Sequence, residues 1–200
     1  MALRYANGLQ LHVQTLGADD APTRPPRVVM IHNLLTENMS SYFYTLANPV
    51  ALTNEVLLYD LRGHGRSAIP PNGYTITDHV ADLAGILDHP CPSGRPDRRP
   101  AILVGHGYGG AIALSYALEH PERVASLVLI DAHFRLEGWD DDSWHDHLAT
   151  DLALAALGWS EPGLRSWVDR YGSRKLDRLT RHTHRLLNET TLAADLDREP

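Results

Sequence analysis

The sequence predicts an α/β fold, a mostly parallel sheet flanked by helices and followed by a helical lid. Short apolar runs alternate with helix-length segments through the first two thirds of the chain. Within each run the apolar residues are consecutive, as in parallel strands that helices cover on both faces. After residue 132 these runs stop and amphipathic stretches follow. We therefore predict a core domain over residues 1–132 and a lid or cap over 133–200.

The order of the apolar runs predicts the order of the strands. Asn7-Gly8 is a strong two-residue turn signal, so the segments 1–5 and 9–14 are expected to pair as an antiparallel hairpin at the start of the sheet. The later runs are separated by segments long enough for crossover helices, which predicts parallel pairing. The predicted buried strands are residues 27–32, 56–60, 101–104 and 126–131.

A helix is predicted over residues 74–87, because Ile76, Val80 and Leu83 recur at helical spacing. Thr77 or Thr75 supplies its N-terminal cap. The proline-rich segments 18–26 and 88–100 are expected to be exposed loops. The predicted lid helices are residues 144–157, 164–171, 174–187 and 190–196.

Composition excludes several classes of function. The chain has 25 acidic and 18 basic residues, a net charge of −7, which would repel a phosphate backbone, so no nucleic-acid partner is expected. Its single cysteine, Cys91, cannot form an intramolecular disulfide. No secretory signal or membrane-spanning run is found, so we expect a cytoplasmic protein without membrane contact.

The glycine-dense turn in residues 101–113, AILVGHGYGGAIA, fits two motifs. Read as G-x-G-x-x-G, Gly105, Gly107 and Gly110 match a dinucleotide-binding fingerprint, and Asp131 lies 21 residues beyond Gly110, as a ribose-binding acid would. Read as G-x-S-x-G, the same turn is a nucleophile elbow in which glycine stands at the serine position. The turn alone does not separate the two interpretations.

The surrounding motifs favour the elbow. A predicted strand ends in His32-Asn33-Leu34, and residues 60–67, DLRGHGRS, are followed by the glycine turn, by residues 120–124, HPERV, and by a strand that ends in Asp131. In this order and spacing the chain resembles the α/β-hydrolase family of ester and thioester hydrolases, over about residues 9–135. The dinucleotide interpretation leaves the DLRGHGRS segment unexplained.

The resemblance implies small acyl substrates, no metal or organic cofactor, and a set of site residues. The backbone N–H groups of Leu34 and Tyr108 are expected to form an oxyanion hole, with His32 and Asn33 beside it. His106, next to the elbow, is a candidate acid or base. The family's nucleophile position falls on Gly107, which has no side chain and cannot form an acyl-enzyme.

Two further departures from the family pattern bear on function. Asn33 replaces the glycine that usually follows the loop histidine, and asparagine tolerates a positive φ. The family's later strands, which carry the acid and the histidine of the triad, have no counterpart, so the chain is expected to be C-terminally truncated. The strand 126–131 would then be an edge of the sheet. We expect this edge to be exposed in a fragment, paired with another chain through self-association, or covered by a helix of the lid, and the fragment is the favoured explanation.

The leading hypothesis is therefore an α/β-hydrolase-family protein that is inactive or strongly impaired by the serine mechanism. The alternatives are a non-catalytic binder of small ligands, a cofactor-independent lyase or proton-transfer enzyme with His106 or His32 as base, and a dinucleotide-binding protein. No metal site is expected, because helical residues two apart, as in the histidine pairs 145/147 and 182/184, face away from each other.

Overall fold

A computed structural model describes residues 2–17, 25–35, 37–89, 98–132 and 173–198. Within them lies one six-stranded sheet with the strand order β1-β2-β4-β3-β5-β6. Its strands are β1 (Ala2–Ala6), β2 (Leu9–Leu16), β3 (Val28–Ile31), β4 (Val56–Tyr59), β5 (Ala101–His106) and β6 (Val124–Ile130).

The antiparallel start of the sheet is confirmed. Strands β1 and β2 pair around a turn in which Asn7 and Gly8 both have positive φ, 45° and 74°, as a two-residue hairpin turn of the primed type requires. Strand β2 then pairs antiparallel with β4, and Val13 lies opposite Tyr59. The hairpin thereby extends the parallel part of the sheet on one side.

The four strands predicted after the hairpin are also confirmed, and all four are parallel. Their predicted burial is confirmed for β3 and β4 and for alternate residues of β5. It is wrong for β6, whose residues are exposed or partly exposed because, within the described part of the chain, β6 pairs on one side only. Strand β3 lies between β4 and β5, and β6 pairs with β5. Every residue of β3 and β4 is buried, which is the physical reason for their unbroken apolar sequences. Because the strands are parallel, the residues that follow β3, β4, β5 and β6 gather at one edge of the sheet.

One of the helices that flank this sheet begins at a well-defined side-chain cap. Helix α3 (Ile76–Leu87) starts after Thr75, whose hydroxyl accepts the Asp78 backbone N–H while the Asp78 carboxylate accepts the Thr75 N–H. This capping box selects Thr75 over Thr77. The remaining flanking elements are α1 (Ser40–Tyr42), a π-helical turn (Phe43–Ala47), α2 (Asn48–Val50), α4 (Tyr108–Glu119) and a 3₁₀ turn (Pro121–Arg123).

The chain divides into two compact units, one made of Met1–Pro70 and Tyr74–His133, the other of Pro71–Gly73 and Phe134–Pro200. The described part of the second unit holds α5 (Ser173–Glu189) and α6 (Leu192–Arg198), which confirms the two predicted helices nearest the C-terminus. Leu186, Leu192 and Leu196 are buried there.

Several sequence predictions fall on residues outside the described part of the chain. These are the helices predicted over 144–157 and 164–171, most of the two proline-rich segments, and Cys91. Of the helices that are described, none is both long enough and apolar enough to span a bilayer.

Candidate active-site region

The turn between β5 and α4 is a sharp bend with Gly107 at its tip. Gly107 has φ 53° and ψ −122°, a combination that glycine adopts freely and that strains other residues. Its N–H donates to the Ile130 carbonyl at 3.0 Å, and its own carbonyl accepts the Gly110 N–H at 2.9 Å. The bend is thus held from the end of β6 on one side and by the first turn of α4 on the other.

The other glycines of the turn are explained by packing. A Cβ added at Gly109 would overlap the carbonyl oxygen of Ile31 in β3, and one added at Gly110 would overlap the Ala132 side chain. A Cβ at Gly105 would overlap the Gly109 carbonyl. Close approach of the start of α4 to neighbouring backbone and side chains therefore accounts for glycine at these three positions.

Asn33 fills the space beside Gly107. A Cβ built on Gly107 would overlap the Asn33 Cγ and Oδ1 atoms and would lie 2.7 Å from Nδ2. The Asn33 Oδ1 accepts the Tyr108 backbone N–H at 2.9 Å. The side chain that stands where a nucleophile would project therefore also takes up one of the two N–H groups expected to form an oxyanion hole.

The backbone of Asn33 is held on both sides. Its N–H donates to the Glu37 Oε2 at 2.9 Å, and its carbonyl accepts the His32 Nδ1–H at 2.7 Å. Asn33 itself does not adopt positive φ, contrary to the reason suggested above for its presence. The positive φ in this loop, 65°, belongs to Leu35, whose N–H donates to the His64 Nε2 at 2.8 Å.

Hydrogen bonds account for both ring nitrogens of His32 and of His64. The His32 Nε2 accepts the Leu61 N–H at 3.0 Å, which leaves the hydrogen on Nδ1, and burial lowers the pKa of this imidazole. The His64 Nε2 accepts from Leu35, and its Nδ1–H donates to the Arg62 carbonyl at 2.9 Å. Both rings are thus neutral groups that fix loop backbone.

His106 contacts a carboxylate that the sequence analysis did not single out. Its Nδ1 lies 3.1 Å from the Glu37 Oε1 and 3.2 Å from Oε2, and both side chains are partly exposed. His106 lies on the same face of β5 as Ile102 and Val104, which pack against the cluster that contains Met39 and the first helical segments. The Glu37 carboxylate therefore joins His106 to the backbone of Asn33.

The DLRGHGRS loop is built around two buried carboxylates. Asp60 accepts the Met39 N–H, the Arg66 N–H and contacts His12 Nδ1 at 2.7 Å. Arg62 donates to both oxygens of the Asp82 carboxylate, at 2.7 Å from Nε and 2.6 Å from the terminal nitrogen. The loop motif of the sequence thus holds the strand ends and α3 in place.

His79 is a buried histidine next to the elbow. It is fully buried on α3, its ring centroid is 5.5 Å from that of Tyr108, and neither ring nitrogen has a hydrogen-bond partner among the described residues. Burial, and then the nearby Arg62 charge, lower its pKa to about 3. His79 is a neutral packing residue at neutral pH.

No group of three or more metal-ligating side chains occurs among the residues that the structure describes. His182 and His184 lie two apart on α5, and the pair at 145 and 147 falls outside the described residues. Asp131 follows β6 with a φ of 46°. No signal in a single sequence links Glu37 to His106, but the joint departure from the family pattern at positions 33 and 107 points to the contact found between them.

Comparison with known proteins agrees with this geometry. Residues 26–160 match the family model described as alpha/beta hydrolase fold. The chain is 37% identical over 137 residues to lipase LipV of Mycobacterium tuberculosis, an alignment that covers 65% of this chain and 44% of LipV. It is 31% identical over 130 residues to epoxide hydrolase 2 of Siraitia grosvenorii, which covers 64% of this chain and 37% of that protein.

A solved structure of a hydrolase from Pseudomonas aeruginosa superimposes with a TM-score of 0.66 at 21% identity, over 98% of this chain and 70% of that chain. The chain spans less than half the length of these two curated relatives. The family model covers more than half of the chain, and the strand order and the elbow fit it. The chain therefore belongs to the α/β-hydrolase fold family and resembles lipases and other hydrolases within it.

Proposed function

We propose that this α/β-hydrolase-family protein does not act through a serine nucleophile, and that the region around Gly107 binds a small acyl-type ligand without forming a covalent intermediate. The single observation that supports this is the elbow itself. Gly107 has the backbone conformation of the bend but no side chain, and the Asn33 carboxamide fills the space into which a side chain would extend. Covalent acyl transfer needs a nucleophilic atom at that point.

Other groups near the elbow do not replace the nucleophile. Ser115 lies eight residues beyond Gly107 along α4, about 12 Å at the helical rise per residue. His32 and His64 have both ring nitrogens in hydrogen bonds, so neither imidazole can accept a proton from a hydroxyl without breaking a contact that holds the loops. Without a nucleophile, ligand binding is the function that we favour for this region.

The experiment compares covalent labelling with binding. The purified chain is incubated with a serine-directed fluorophosphonate and, separately, with a nitrophenyl ester, and intact mass and nitrophenol release are measured. We expect no stoichiometric adduct and no release above that of a Ser115→Ala variant. A one-to-one adduct would contradict the proposal. Ligand binding is measured as a rise in unfolding temperature with short-chain esters and amides, since a ligand bound only to the native state stabilises it.

Cofactor-independent proton transfer is a second candidate function, supported by the contact of the His106 Nδ1 with the Glu37 carboxylate. A carboxylate that accepts the Nδ1–H orients the imidazole ring and fixes which ring nitrogen carries the hydrogen. The test is deuterium incorporation from solvent at the α-carbon of a butanoyl thioester. Exchange that is lost in His106→Gln would support this function, and exchange that is equal in the variant would remove His106 from it.

A further inference from the structure

Among the described residues, the Asn33 carboxamide contacts both the Gly107 position and the Tyr108 backbone N–H. Its Oδ1 accepts the Tyr108 N–H at 2.9 Å. A backbone N–H can only be accepted by the carbonyl end of a carboxamide, so this bond fixes which end is oxygen and which is nitrogen. The nitrogen end of the carboxamide is therefore Nδ2, which carries the two N–H donors of the side chain.

The Asn33 carboxamide as a whole lies where a side chain on Gly107 would extend, and Nδ2 is one of its three atoms close to that position. Nδ2 lies 2.7 Å from where a Cβ on Gly107 would be. Within the described part of the chain no group accepts a hydrogen bond from it. The backbone N–H of the next residue, Leu34, likewise has no acceptor among the described residues.

The carboxamide is preorganised because the Asn33 backbone is fixed before any ligand arrives. The Glu37 carboxylate accepts its N–H and the His32 imidazole donates to its carbonyl. With its Oδ1 also engaged, the side chain has little rotational freedom to lose on binding, and such preorganisation favours affinity.

We infer that Asn33 determines the ligand specificity of this site: its Oδ1 closes the oxyanion position on Tyr108, and its Nδ2 donates to the carbonyl oxygen of a neutral ester or amide that is bound and not attacked. This inference rests on the proposed function and names its ligand class. The Glu37 carboxylate beside Asn33, which also contacts His106, disfavours an anionic ligand such as a free carboxylate.

Two variants separate the closing role of Oδ1 from the donor role of Nδ2. Asn33→Asp keeps the shape and an oxygen to accept the Tyr108 N–H, but replaces the donor by a second acceptor. Asn33→Ala removes both. Each is expected to fold, because the backbone contacts of Asn33 with His32 and Glu37 do not use its side chain.

The first measurement is hydrogen exchange of the Tyr108 amide by NMR. We expect slow exchange in the wild type and in Asn33→Asp, and exchange about tenfold or more faster in Asn33→Ala, since the amide then loses its acceptor. The Gly110 amide, which donates to the Gly107 carbonyl, is the internal control and should not change. Equal Tyr108 exchange in wild type and Asn33→Ala would overturn the closing role.

The second measurement is an NMR titration with N-methylbutanamide, a neutral carbonyl probe that is not hydrolysed. We expect the Asn33 side-chain NH₂ signals and the Leu34 amide to shift in the wild type, and the affinity to fall about tenfold or more in Asn33→Asp. Equal affinity in Asn33→Asp, absence of any shift in the wild type, or tighter binding of butanoate than of the amide would each overturn the donor role. None of these measurements involves turnover. A negative result here contradicts the role of Asn33, whereas covalent labelling by the fluorophosphonate contradicts the proposed function.

Discussion

Gly107 and Asn33 share one space at the end of the sheet. A Cβ on Gly107 would overlap the Cγ and Oδ1 atoms of Asn33, so a side chain at position 107 and the present carboxamide at position 33 exclude each other. The two departures from the family pattern are therefore physically coupled. A serine at the elbow requires a different residue, or a different rotamer, at position 33.

The first prediction concerns Gly107→Ser. We expect this change alone to lower the free energy of unfolding by about 1–3 kcal/mol from the strained φ, and by more from the overlap with Asn33, without producing ester hydrolysis. Urea unfolding and fluorophosphonate labelling measure the two effects.

The matched control is Gly8→Ser, because Gly8 also has positive φ, 74°, but its Cβ would meet nothing within 4 Å. Gly8→Ser should lower the free energy of unfolding by about 1 kcal/mol, because only its backbone conformation is strained. The double variant Asn33→Gly/Gly107→Ser removes the overlapping carboxamide. Its free energy of unfolding should therefore exceed that of Gly107→Ser by most of the difference between Gly107→Ser and Gly8→Ser. Simple additivity of the two changes would refute the coupling.

The second prediction concerns the buried ion pair beneath the DLRGHGRS loop. Asp82→Ala removes both short hydrogen bonds between the buried Arg62 guanidinium and the Asp82 carboxylate, while the Asp78 carboxylate stays 3.7 Å away, so we expect a loss in the free energy of unfolding of about 3 kcal/mol. The control is Asp88→Ala, which removes a half-exposed partner of Arg123 and should cost no more than about 1 kcal/mol. Similar losses in the two variants would show that the buried Arg62 pair stabilises the protein no more than the exposed Arg123 pair does.

The third prediction concerns acid stability. The pKa of His79 is about 3 in the folded protein and near 6.5 in the unfolded protein. Between these two pH values the unfolded state binds a proton that the native state does not bind. His79 therefore contributes full stability above pH 6.5, and its contribution falls as the pH drops toward 3, by up to about 1.4 kcal/mol per pH unit.

The variant that checks this is His79→Leu, which cannot be protonated. Its free energy of unfolding should decline less steeply than that of the wild type between pH 6.5 and 4, as measured by urea unfolding at several pH values. Some slope should remain, because burial lowers the pKa of His32 in both proteins. Equal slopes would mean that His79 is hydrated and titrates normally in the native state.

The fourth prediction concerns the edge of the sheet. Within the described part of the chain β6 is the last strand of the sheet, and the side chains of Val128, Leu129 and Ile130 on it are 44%, 38% and 37% exposed, on both of its faces. We expect a second copy of the chain to pair there, giving a dimer in light scattering at micromolar concentration. Val128→Lys should shift the protein toward the monomer.

Leu52→Lys is the control for that experiment, because Leu52 is also exposed, at 86%, but follows α2 and is remote from β6 in the strand order. It should leave the light-scattering mass unchanged. A monomeric wild type would contradict the prediction, and so would an equal effect of the two lysine variants.

Sequence reasoning reached the fold because the fold depends on patterns that are local along the chain. Unbroken apolar runs such as those of β3 and β4 report burial on both faces, and Asn7-Gly8 reports a turn that needs two positive φ values. The sequence does not choose between Thr75 and Thr77 as the helix cap, because the two hydroxyls are only two positions apart and the structure alone shows which one accepts the Asp78 N–H.

The candidate site was only partly predictable. The absence of a nucleophile at position 107 can be read directly from the residue, since glycine has no side chain to attack with. The position of the Asn33 carboxamide could not be read, because 74 residues separate Asn33 from Gly107 and their contact exists only once β3 and β5 pair side by side. The contact of Glu37 with His106 arises in the same way.

The sequence by itself determined the strands, their order along the chain, the glycine at the elbow and the family to which the chain belongs. Only the tertiary structure decided that the Asn33 carboxamide lies beside Gly107, that its Oδ1 accepts the Tyr108 N–H, and that hydrogen bonds engage both ring nitrogens of His32 and His64. The physical reason is that secondary structure follows from neighbours within a few residues, whereas hydrogen-bond partners in a site come from separate strand ends that meet at one edge of the sheet.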